Sequence, residues 1–160
     1  MRKNNEINLS SKISETKDAS KVMMSDIFEE AKKDGTCYIL LVEDHTMSRM
    51  LVKRFLVKCG YTVDAVEDGE SALLLIEISH YDLILMNLGL PGIDGYETTR
   101  SIRATKNINS DIPILALTSL SEKEVNRKMD KVGINDYIGK PFNPEELYKK
   151  VKHYAFDKRF

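Results

Sequence analysis

The chain has 160 residues, 42% hydrophobic and 31% charged, which suits one folded domain with a short appended segment and excludes disorder throughout. Lysine and arginine total 24 against 25 acidic residues, so at a net charge of -1 no overall field favours nucleic acid or anionic lipid. No stretch approaches the ~20 apolar residues of a membrane span, and residues 1–21 lack the apolar core of a secretory signal, so a cytoplasmic protein is expected. Cys37 and Cys59 have neither zinc nor redox-pair spacing and are expected as reduced core residues.

Residues 1–22 are rich in Lys, Asn, Ser and Glu without periodicity, the composition of a flexible tail. Met24, Ile27, Phe28 and Ala31 then recur at helical spacing before Asp34-Gly35, which predicts a short N-terminal helix and linker over 23–35. From 36 to 156 the chain alternates short apolar runs with helical stripes, and 157–160 reads as a solvated tail. The runs are 38–42, 62–65, 83–86, 114–117 and a weaker 137–138. Three are almost continuously apolar, as parallel strands covered on both faces should be. Alternating strand and helix then imply an α/β doubly wound sheet, with five units in one domain.

The helix stripes are expected to be core-packing features. Met47, Met50, Leu51 and Phe55 form the first, with Gly60 placed to end it in a left-handed cap. Asp68 can cap the next, which carries Ala72, Leu73 and Ile76. Asp94 with Glu97, Ser121 with Glu124, and Asn143 with Glu146 have capping-box spacing, and Pro144 takes a favoured first-turn position. Val125, Met129 and Val132 form the fourth stripe, ending at Gly133; Leu147, Val151 and Tyr154 form the fifth.

Ligands of open parallel sheets bind beyond the carboxyl ends of the strands, so the residues just after each run matter most. The first run ends in Glu43-Asp44, the third in Asn87, the fourth in Thr118-Ser119, and the fifth leads to Lys140-Pro141. Two carboxylates, a carboxamide, a hydroxyl and an ammonium are thereby directed to one crevice. Such a set suits a small anion held against a divalent cation: the oxygens for magnesium, the hydroxyl and ammonium for phosphoryl oxygens. His45 is expected as a loop residue beside this crevice, and His80 and His153 have no companions of the metal-binding kind.

These residues resemble the response-regulator receiver family over about 37–155. The matching words are ILLVEDH at 39–45, LILMNLGLPGIDGYE at 83–97, PILALTS at 113–119 and GINDYIGKPF at 133–142. The resemblance implies a (βα)5 flavodoxin-like sheet with strand order 2-1-3-4-5. It also implies that Glu43 and Asp44 help bind Mg2+, with the backbone carbonyl of Gly89 as a further ligand. Thr118 is similar to the family's switch hydroxyl, Tyr137 to its aromatic switch, and Lys140 to the lysine that pairs with an acyl phosphate. The implied partners are a histidine kinase, phosphotransfer protein or effector, docking on the fourth helix, fifth strand and fifth helix of the repeat. The same face would serve a homodimer.

Asn87 departs from the family, which has aspartate at that position. A carboxamide nitrogen is conjugated with its carbonyl and is a poor nucleophile, so phosphotransfer to Asn87 should fail and the chain as given should not be an enzyme. Magnesium binding, with Asn87 offering an amide oxygen, should be weak because one clustered negative charge is gone. Two readings follow: a stand-alone receiver that works without phosphorylation, or an engineered Asp→Asn form of an active phosphoacceptor in a phosphorelay. A nucleotide- or flavin-binding enzyme on the same topology is disfavoured, because the first loop reads VEDHTMS and no glycine-rich phosphate cradle is present.

Overall fold

The near-continuous apolar runs become the inner strands of a parallel sheet. In the computed structural model, the backbone is described for residues 7–157 and side chains for 19–156. Strands β1 (Tyr38–Val42), β2 (Thr62–Val66), β3 (Leu83–Asn87), β4 (Ile114–Thr118) and β5 (Asp136–Gly139) lie in the order β2-β1-β3-β4-β5. Every pairing is parallel. β3 and β4 are buried at every residue and β1 at all but its first, whereas the edge strands β2 and β5 are only partly covered. This is the (βα)5 doubly wound sheet expected from the sequence.

Strand alternation divides the core into two layers. Ile39 and Leu41 of β1, Leu83 and Leu85 of β3, and Leu115 and Leu117 of β4 point to one side. There they meet α1 (Ile7–Ala31), α2 (Thr46–Lys58) and α6 (Pro144–Lys152). Leu40, Val42, Ile84, Met86, Ile114 and Ala116 point to the other side. They pack on α3 (Gly69–Ile78), α4 (Gly95–Ala104) and α5 (Glu122–Val132).

Helix ends follow the polar signals. Asp68 accepts from the Ser71 N–H at 2.6 Å, Asp94 from the Glu97 N–H at 2.8 Å, and Asn143 from the N–H groups of Glu145 and Glu146. The Glu124 carboxylate accepts both the N–H and the hydroxyl of Ser121. Gly60 and Gly133 follow α2 and α5 in the left-handed region, at φ 89° and 83°.

Two expectations are corrected. The buried face of α2 is Val52 and Leu56, continued by Cys59, whereas Met47, Met50 and Leu51 are 59%, 60% and 63% exposed. Both rows satisfy helical spacing, and only the seat of α2 on the sheet selects between them. The N-terminal helix is the second case. The helix expected there is present, but it begins at Ile7, within the segment read as a tail, and runs for 25 residues. The tail residues 1–6 and 158–160 lie outside the described residues.

The C-terminal half of α1 belongs to the core. Ile27 and Ala31 are buried, Phe28 packs on Phe55 with ring centroids 5.9 Å apart, and Met24 lies against the same layer. Lys152 pairs with both Glu30 and Asp34 at 3.0 Å, and the Tyr148 hydroxyl donates to Asp34. Beneath this cover sit Cys37 and Cys59, and burial pushes the Cys59 thiol up to about 12.

Truncating a buried isoleucine leaves a cavity, so Ile27→Ala is expected to cost roughly 2–4 kcal/mol in urea unfolding. The same change should speed thiol-reagent labelling of Cys59, which is buried in the folded chain. An unchanged unfolding midpoint would remove α1 from the core.

Candidate functional site

Parallel register brings the strand tips together. Val42 pairs with Met86, so the following residues Glu43 and Asn87 emerge side by side at the carboxyl ends of β1 and β3. On the other flank Asn87 pairs with Leu117, and Thr118 pairs with Gly139 just before Lys140. Lys140 and Pro141 are joined by a cis peptide.

Glu43 is the centre of this arrangement. Its side chain has 0% exposure, and an ionised carboxylate removed from water must be compensated by charge and hydrogen bonds. Lys140 Nζ lies 2.5 Å from Oε2, Ser48 Oγ donates to the same oxygen at 3.2 Å, and the His45 N–H reaches Oε1 at 3.2 Å. The fourth donor is Asn87, whose Nδ2 lies 3.1 Å from Glu43 Oε1.

Asn87 is only 7% exposed, and both its amide nitrogen and its amide oxygen are hydrogen-bonded. Nδ2 also donates to Asp44 Oδ1 at 2.7 Å, while Oδ1 accepts the Gly89 N–H at 3.2 Å. That network sets the amide orientation: the nitrogen faces two carboxylates and the oxygen faces an N–H. Gly95 at the head of α4 lets the helix approach closely, because a Cβ there would lie 2.2 Å from the Asn87 carbonyl oxygen. The backbone carrying Asn87 is therefore clamped by α4 as well as by the sheet.

Glu43, Asp44, Asn87 and Lys140 are thus one hydrogen-bonded cluster, and Gly89 joins it through its N–H. Thr118 stands at the tip of β4, 3% exposed, with its hydroxyl accepting the Leu120 N–H at 3.0 Å. Tyr137 lies farther along β5, paired with Ala116 and half-buried. The Lys150 ammonium sits 4.9 Å from its ring centre and donates to its carbonyl at 2.6 Å.

The first turn of α2 supplies groups that sequence reading missed. His45 is the N-cap, its Nδ1 accepting the Ser48 N–H at 3.3 Å. Arg49 donates to the carbonyls of Glu43 at 2.7 Å and Asp44 at 3.0 Å, and pairs with Glu67 at 3.5 Å. The available signal was distance in sequence: Ser48 and Arg49 fall one helical turn beyond the acidic pair, where a helix head can reach back to them.

Magnesium prefers oxygen ligands in octahedral geometry at about 2.1 Å. Here the crevice offers two carboxylates, one paired with lysine, and between them the hydrogens of an amide group. As arranged, this donor set fits hydrogen bonding better than metal ligation. Among the described residues, no group of three or more His, Cys, Asp or Glu could hold a metal ion.

The response regulator receiver domain model matches residues 39–152, and the chain belongs to that family. The transcriptional regulatory protein ResD of Bacillus subtilis is 40% identical over 115 residues, taking in 71% of this chain and 46% of ResD. The sensor protein EvgS of Escherichia coli K12 is 37% identical over 109 residues, 68% of this chain and 9% of EvgS. The chain spans less than half the length of these relatives. The receiver domain of a Pseudomonas aeruginosa sensor histidine kinase, solved with magnesium coordinated in its active site cleft, superposes with a TM-score of 0.70. It is 37% identical, the match covering 76% of this chain and 98% of that one. Chemotaxis response regulator CheY4 of Vibrio cholerae gives 0.70 at 29% identity, covering 75% and 99%. The chain therefore carries a receiver domain of the two-component type.

Removing the Lys140 ammonium would strand a buried carboxylate, so Lys140→Ala is expected to lower stability by about 3 kcal/mol. Urea unfolding of Lys140→Ala beside Glu43→Gln/Lys140→Ala checks this, and the double variant should recover part of the loss. No loss in the single variant would show that Glu43 does not depend on the lysine.

Proposed function

We propose that Asn87 stands at the phosphoacceptor position, and that this receiver acts through protein–protein contact without accepting a phosphoryl group there. The supporting observation is the state of the Asn87 amide. It lies at the tip of β3, donates to Glu43 and Asp44, and accepts from Gly89. Its nitrogen lone pair is delocalised into the carbonyl, so it offers no nucleophile to a phosphodonor. On this reading Glu43, Asp44 and Lys140 keep a structural role, and any Mg2+ bound with the Gly89 carbonyl is held weakly. Thr118 and Tyr137 keep the positions of a switch pair.

The receiver unit is taken as residues 36–156, with α1 folded onto it. Receivers signal by contacting histidine kinases and effectors, and the face proposed for this chain is α5, β5 and α6. Most of α5 outside Val125, Met129 and Val132 is exposed, and Lys150 over Tyr137 links this face to β5. The occupant would be a histidine kinase, phosphotransfer protein, effector or second copy. Exposed Met47 and Leu51 give a second apolar surface, along a groove of about 540 Å3 that also includes Lys140 and Phe142. Among the described residues, no helix is long and apolar enough to cross a membrane.

A second reading has a specific observation behind it. Glu43, Asp44, Thr118 and Lys140 all remain, with the Lys140–Glu43 pair formed. That completeness fits an engineered Asp→Asn form of an active phosphoacceptor, whose parent would catalyse its own phosphorylation and hydrolysis.

Incubating the chain and its Asn87→Asp variant with a small phosphodonor and magnesium tests both readings. Hydroxylamine-sensitive aspartyl phosphate is expected only in the variant. Equal labelling of both proteins would overturn the placement of Asn87. Loss of partner binding on altering Tyr137 and the exposed residues of α5 is expected; retained binding would move the interaction to another face.

A further inference from the structure

We propose that the Asn87 carboxamide takes the place of a divalent cation, bridging Glu43 and Asp44 so that the crevice opposes magnesium binding and does not depend on it. This rests on the proposed placement of Asn87 and goes beyond it. A missing carboxylate would only weaken metal binding, whereas an amide seated between the remaining two opposes it.

The geometry supports opposition. An amide nitrogen has two hydrogens, and its two acceptors are Glu43 Oε1 at 3.1 Å and Asp44 Oδ1 at 2.7 Å. The amide oxygen is engaged by the Gly89 N–H at 3.2 Å. Both donors and one of the two acceptor positions of the group are therefore used. To present Oδ1 to a cation, the amide must turn over, breaking both carboxylate bonds and setting NH2 against the Gly89 N–H. At 7% exposure, water is poorly placed to compensate those losses.

Charge points the same way. With Lys140 on Glu43 and a neutral residue at 87, the cluster keeps one uncompensated negative charge, where an aspartate would leave two. The crevice consequently lacks the excess charge that would recruit a metal, and already has donors on the oxygens a metal would need. The amide does what the cation would otherwise do, holding the tips of β1 and β3 together.

The discriminating variant is Asn87→Ala, which adds no ligand and removes only the bridging amide. Magnesium chloride is titrated into the full chain, this variant and Asn87→Asp, following the backbone amide resonances of Asp44 and Gly89. Asn87→Ala should bind magnesium on the order of tenfold more tightly than the unaltered chain. Asn87→Asp should bind it most tightly of the three. In chelator, the unaltered chain should have the highest thermal midpoint, and magnesium should raise the midpoint of Asn87→Asp but not its own. Equally weak binding by the unaltered chain and Asn87→Ala would overturn the inference, since loss of charge would then explain everything. If Asn87→Ala does not fold, Asn87→Ser carries the same comparison. Magnesium binding by the unaltered chain as tight as that of Asn87→Ala, without phosphoryl labelling, would sink this inference alone; labelling at Asn87 would sink the reading beneath it.

Discussion

A fully buried carboxylate at the end of the first strand is the constraint from which the rest of the crevice follows. Glu43 cannot remain ionised and dry without partners, because its lost hydration would cost several kcal/mol. The partners come from widely separated parts of the chain: Lys140 after β5, Asn87 on β3, and His45 and Ser48 at the head of α2. Satisfying one side chain thus requires three strands to end at a common level. The same requirement explains why the first turn of α2 is bound to the acidic pair, with Arg49 closing over the carbonyls of Glu43 and Asp44.

The sheet makes that convergence possible. Order β2-β1-β3-β4-β5 places β1 beside β3, and their register sets Glu43 next to Asn87. Each inner strand is gripped by helices on both faces, so the tips have little freedom to separate. Gly95 allows α4 to touch the backbone of Asn87. A membership in the receiver family accounts for the scaffold. On the proposed placement of Asn87, the central polar group of the crevice is a hydrogen-bond donor, where a carboxylate would be an acceptor and a nucleophile.

Much of this was legible from residue order. Continuous apolar runs announced buried parallel strands, and Asp68, Asp94, Ser121 and Asn143 marked helix starts because each places an oxygen before exposed N–H groups. The convergence of Glu43, Asp44, Asn87 and Lys140 followed from strand-end position alone. The face of α2 did not follow. Met47, Met50 and Leu51 share the spacing of Val52 and Leu56, and both rows are apolar, so only packing on the sheet decides. The start of α1 was hidden for a related reason: residues 7–22 carry mostly polar side chains, and helical backbone there leaves no apolar stripe to read. The direction of the Asn87 amide depends on partners 43 and 44 positions away, beyond any local signal.

The central claim is that the Asn87 nitrogen, with its hydrogens, faces Glu43 and Asp44. A neutron crystal structure of the deuterated chain, grown with magnesium, measures that directly. The account predicts one amide deuteron directed at each carboxylate and the Asn87 oxygen on the Gly89 N–D. An octahedral ion between the carboxylates, with the Asn87 oxygen turned toward it, would contradict it.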